Sequence, residues 1–129
     1  MTRRLLACLV ALTIALGGAS RLFPLGNATW DKSFGDGAYA VMVFFMVAFV
    51  VPGARSIPLG VIAIASCVAI ECFQLTGIPA RLPRLLQLAL GTRFAWHDIA
   101  CYVVGASLAT LLHALLSGRH RPAGRRPEA

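Results

Sequence analysis

Four residues in the second half of the chain have the types and spacing from which a polar site can be built inside a membrane. In "VAIECFQL", Glu71 is the only charged residue between Arg55 and Arg81, and Gln74 follows it by three positions. In "AWHDIACYVVG", Asp98, Tyr102 and Gly105 are spaced by four and then three. Residues three or four apart share a helix face, so Glu71 pairs with Gln74 on one helix and Asp98 with Tyr102 on another. An ionised side chain at bilayer depth costs from about 2.5 kcal/mol upwards, so it faces a protein interior or a wet cavity. Carboxylates in that position can hold a ligand, exchange a proton with a substrate or carry one across the membrane.

Glu71 therefore needs partners. The stretch "RLPRLLQLALGTRFAW" offers Arg81, Arg84 and Arg93, and the next helix offers Asp98 and Tyr102. An arginine neighbour would hold Glu71 ionised, whereas crowding against Asp98 in a poorly solvated pocket would favour a shared proton or a bound cation. Both arrangements satisfy the pattern. Asp36 is expected just before a span, as its N-cap. Gly105 would let two helix backbones approach closely.

The elements that must position these residues follow from composition. Of 129 residues, 58% are hydrophobic and only 13% charged, about half the charged share of a soluble domain, which excludes a soluble interaction module. A spanning helix needs about 20 mostly apolar residues. Residues 5–20, 38–51, 59–78 and 95–116 approach that length. Irregular backbone cannot face lipid, and the alternation of a membrane barrel is absent, so the expected fold is an all-α bundle of four transmembrane helices. One membrane domain would cover 1–118, and the basic tail 119–129 would be disordered and lie near anionic lipid rather than on nucleic acid. In an up-and-down bundle Asp36, Glu71 and Asp98 reach similar depth at one end, Glu71 about two turns before the third span closes.

Orientation follows from the basic residues. With both termini cytoplasmic, the inner side receives Arg3, Arg4, Arg55, Arg119, Arg121, Arg125 and Arg126, and the outer loops receive Arg21, Lys32, Arg81, Arg84 and Arg93. Three of the outer arginines fall in the one loop between the third and fourth spans. That loop also has helical spacing: Leu82, Leu85, Leu86, Ala89 and Leu90 on one side, and Arg84, Gln87 and Gly91 on the other. It is expected to form a short amphipathic or re-entrant segment, with Pro83 in its first turn, Gly91 at its end, and Trp96 and Tyr102 at headgroup level nearby. The first span has a rival reading, because "MTRRLLACLVALTIALGGAS" also has the layout of a secretory signal peptide. The apolar "SRLFPL" that follows favours a span.

The series "GGASRLFP", "GDGAYAVMVFF", "ECFQL" and "LGTRFAWHDIACYVVG" resembles a family of small bacterial integral membrane proteins classed as a domain of unknown function, over about residues 5–116. More distantly, a membrane Glu followed three residues later by Gln, then a loop Arg and an Asp opening the last helix, is similar to the VanZ-like family associated with glycopeptide resistance. The resemblance implies a four-helix protein of the bacterial inner membrane with a polar set at Asp36, Glu71, Gln74, Asp98 and Tyr102, and with Arg84, chosen over Arg81 and Arg93, as the matching loop arginine. It brings no reaction, substrate or cofactor.

Other signals reduce to ordinary structure. His97 and Cys101 are four apart, but two ligands without a further Cys/His cluster do not make a zinc site. Cys8, Cys67, Cys72 and Cys101 lie in apolar segments without a CxxC and read as small buried hydrophobes. His113 and His120 read as structural or solvated. "NAT" at Asn27 is a glycosylation acceptor only in a eukaryotic secretory setting, and no phosphate loop, nucleophile elbow or dinucleotide fingerprint occurs. Three function classes remain. The first is a binder of an anionic lipid or lipid-linked envelope precursor at the loop arginines. The second is an enzyme on such a lipid with Glu71 or Asp98 as acid or base, and the third is a proton-linked permease needing a homo-oligomer. Binding, without a cofactor, is the expectation.

Overall fold

A computed structural model describes residues 1–118, and all the regular structure among them is helical. Helix α1 covers Arg3–Leu22, α2 Ala28–Val50 and α3 Ser56–Gln74. A single 3-10 turn, Pro79–Arg81, and a short helix α4, Arg84–Leu90, lead into α5, Trp96–Gly118. The windows Arg3–Ser20, Thr29–Val50, Ser56–Gln74 and Trp96–Gly118 are each long and apolar enough to cross a membrane. The chain is a helical membrane bundle.

Local chemistry sets the helix ends. Asn27 caps α2, its Oδ1 accepting from the backbone N–H groups of Thr29 and Trp30 at 3.2 Å each, and Asp31 places a carboxylate in the positive first turn. Helix α2 consequently starts ten residues before the apolar run at 38, and Asp36 sits in its interior instead of capping it. Lys32, assigned to an outer loop on sequence, is also inside α2. At the other boundary α3 stops at Gln74, four residues short of the expected 78, because Gly77 turns the chain with φ 69° and Pro79 opens the next turn. Glu71 is thus within one turn of the helix end.

Helix α2 is central and packs against α1, α3 and α5. The core is built from Phe44, Phe45 and Ala40 of α2, Leu59, Ala63 and Cys67 of α3, and Ala106 and Ala109 of α5, with Leu6 entering from α1. Gly105 allows the closest approach, since a Cβ there would fall on the backbone of Gly37 in α2. Cys67 alone of the four free thiols is fully buried, and Cys8 and Cys72 face outward. The tail with His120 lies outside the described residues.

Helix α4 buries no side chain; Leu85, Leu86 and Leu88 are exposed, as suits a segment resting in the bilayer interface. Two hydrogen bonds from Gln87 Nε2, to the carbonyls of Ala80 and Leu82, tie it to the 3-10 turn.

Candidate functional site

Glu71 is completely buried near the end of α3, and both its oxygens accept hydrogen bonds. The Tyr102 hydroxyl donates to Oε1 at 2.7 Å and Gln74 Nε2 donates to the same oxygen at 3.1 Å. The backbone N–H of Ala95, just before α5, donates to Oε2 at 3.2 Å. Three neutral donors thereby satisfy the carboxylate. Tyr102 is thus the one found of the partners expected for Glu71; among the described residues Arg81, Arg84 and Arg93 form no ion pair with it. The reason is geometric: with α3 ending at Gln74, its own Gln74 amide, the Ala95 N–H just before α5 and the Tyr102 hydroxyl from the second turn of α5 all reach Glu71. Tyr102 accordingly points into the bundle and is buried, while Trp96 alone of the two aromatics is exposed.

Asp98 pairs elsewhere. The Lys32 ammonium donates to Asp98 across the α2–α5 interface and to Asp36 Oδ2, one turn away in its own helix, at 3.2 Å. The two carboxylate side chains are 9% and 8% exposed against 52% for Lys32, so the ammonium reaches inward from an open side to buried acids. Lys32 is the residue that sequence reading missed. Its spacing of four from Asp36 and the Asn27 cap were the signals that place it on a helix.

These two clusters line one cavity of about 690 Å³. Glu71, Gln74, Asp98 and Tyr102 reach it from α3 and α5, and Lys32, Asp36 and Tyr39 from α2. Arg84 of α4 and Arg93 of the following loop also line it, whereas Arg81 is not among its lining residues. The loop is latched: Gln74 Nε2 also donates to the Leu90 carbonyl at 2.7 Å. Gly91 makes room for this, because its φ of 71° suits glycine and a Cβ there would stand 2.7 Å from Gln74 Nε2. Gln74 Oε1 is buried and has no hydrogen-bond donor among the described residues.

Residues 25–106 match the family described as "Protein of unknown function (DUF2809)". The chain belongs to the DUF2809 family. The DUF2809 match contains every residue lining the cavity, from Lys32 to Tyr102, and leaves α1 outside it. No solved structure matches this DUF2809 chain.

On the flank of α2 away from the cavity, Ser33 Oγ and His97 Nε2 are 2.7 Å apart, with Cys101 Sγ 3.5 Å from the same nitrogen. Ser33 Oγ also donates to the Thr29 carbonyl at 2.6 Å. His97 and Cys101 thus belong to a link between α2 and α5, and no group of three or more metal-ligating side chains occurs among the described residues.

Proposed function

We propose that this DUF2809 protein is a multi-pass protein of the bacterial inner membrane, with both termini cytoplasmic, whose cavity binds the anionic headgroup of an envelope lipid at the outer leaflet. The observation that carries this reading is the pair Arg84 and Arg93. Both line the cavity, and neither has an ion-pair partner among the described residues. A guanidinium presents a planar fork of donors that suits a phosphate. The exposed leucines of α4 would seat Arg84 at headgroup depth. The likeness to the VanZ-like family also points to the cell envelope.

Binding fits the carboxylates better than turnover or proton transport. Glu71 is held by three donors and Asp98 by Lys32, so neither offers a free carboxylate to a substrate. The test is native mass spectrometry of the detergent-purified protein with added phosphatidylglycerol, wild type beside the Arg84→Ala/Arg93→Ala variant. Loss of lipid retention in a folded double variant is expected, and unchanged retention would overturn the reading. Turnover of a lipid-linked substrate that vanishes in Glu71→Gln would replace binding with catalysis.

A further inference from the structure

Lys32 is the only lysine in the sequence; the other eleven basic residues are arginines. It occupies a place built from two helices, in which two nearly buried carboxylates converge on one primary ammonium. A lysine ammonium is a compact point charge with three donors, which can exchange with another amine of the same shape, unlike a guanidinium fork. The cavity as a whole also balances: Lys32, Arg84 and Arg93 face Asp36, Glu71 and Asp98. A ligand bearing net charge would upset that balance, whereas one carrying both signs would preserve it.

We infer that the cavity recognises a phosphodiester carrying a primary amine, the phosphoethanolamine group, whose ammonium takes the place of Lys32 between Asp36 and Asp98 while its phosphate meets Arg84 and Arg93. The inference rests on the anionic-headgroup reading of the same cavity and narrows it from any anion to a zwitterion. Lys32, half exposed, swings from the carboxylates to the ligand phosphate, so two ion pairs exchange and the charge is conserved. Gln74 supplies an independent observation. It is 5% exposed and lines the cavity, both amide hydrogens are used, and its Oε1 has no donor among the described residues. A bound N–H or O–H group is what that oxygen lacks.

Selectivity of the unmutated protein provides the test, so no variant has to fold for the inference to fail. Detergent-purified full-length protein is mixed with equal amounts of phosphatidylethanolamine, phosphatidylcholine and phosphatidylglycerol of identical acyl chains, and bound lipid is read by native mass spectrometry. Phosphatidylethanolamine is expected to exceed the other two by about tenfold, the worth of one charge-assisted hydrogen-bonded contact. The quaternary amine of phosphatidylcholine has no N–H to give. Asp36→Asn/Asp98→Asn should bring the three lipids to parity. Equal retention of the three lipids by wild type, or a preference that survives in the Asn pair, would overturn the zwitterion inference. Should Arg84→Ala/Arg93→Ala still abolish binding in that case, the anionic-headgroup reading stands without it. A preference lost in the Asn pair but untouched by the arginine variant would instead overturn the role of the arginines, and with it both readings. Soluble glycerophosphoethanolamine distinguishes the source: competition assigns recognition to the free headgroup, and failure to compete assigns it to the membrane lipid.

Discussion

At the cavity end of the bundle, three carboxylates lie inside the protein, one satisfied by neutral donors and two sharing a lysine. At the opposite end the buried polar contact is neutral: Ser56 Oγ meets His113 Nδ1 at 2.8 Å, with the His113 ring 5.7 Å from that of Phe44. Both contacts join helices distant in sequence. A membrane bundle evidently needs no ion to join its helices, and measured interhelical hydrogen bonds contribute only about 0.6 kcal/mol on average. The charged end costs more to assemble than adhesion requires, so its charges are better explained by what the cavity holds than by what the helices need.

The comparison can be broken at several points. The largest effect is expected from Glu71→Ala, which leaves the Tyr102 hydroxyl, the Gln74 amide and the Ala95 N–H without their acceptor. Stability in a denaturant titration of the detergent-solubilised protein should fall by about 3 kcal/mol. A smaller cost would show that the two ends are alike. Gly105→Ala tests the close approach between them, because the new methyl falls on Gly37. A loss of about 2 kcal/mol is expected there. Gly18→Ala in α1, with nothing within 4 Å of the new methyl, should be neutral or slightly stabilising in the same assay.

Lys32→Met should cost about 1 kcal/mol, because the ammonium is half exposed and its pairing is correspondingly screened. Of the substitutions that remove a contact between helices, the smallest change is expected from Ser56→Ala at the neutral end, about 0.6 kcal/mol by thermal unfolding. A greater loss from Ser56→Ala than from Lys32→Met would reverse the contrast.

Much of the cavity was legible because polar residues stand out in apolar helices. Glu71, Gln74, Asp98 and Tyr102 were found by helical spacing alone, which survives errors of several residues in the helix ends. Lys32 was hidden because "ATWDKSFGDG" has two glycines and three charges within ten residues and falls below any hydropathy signal, although Asn27 caps a helix there. Asp36 was found but placed at a cap for the same reason. The arginines were harder. Spacing shows that α4 is helical, but whether Arg81, Arg84 or Arg93 reaches the cavity depends on how the loop folds back, which is decided by the Gln74 latch and the room at Gly91.

The lysine bridge also bears on how the chain is made. Lys32 and Asp36 are one turn apart and emerge together from the ribosome, so α2 can leave the translocation channel with its charges already paired. Asp98 arrives 66 residues after Lys32 and completes a pair that already exists. Glu71 has no such early partner apart from Gln74, since Tyr102 follows 31 residues later. Nascent α3 therefore gains by lingering beside the channel until α5 is synthesised, and the last two spans are expected to enter the bilayer as a pair.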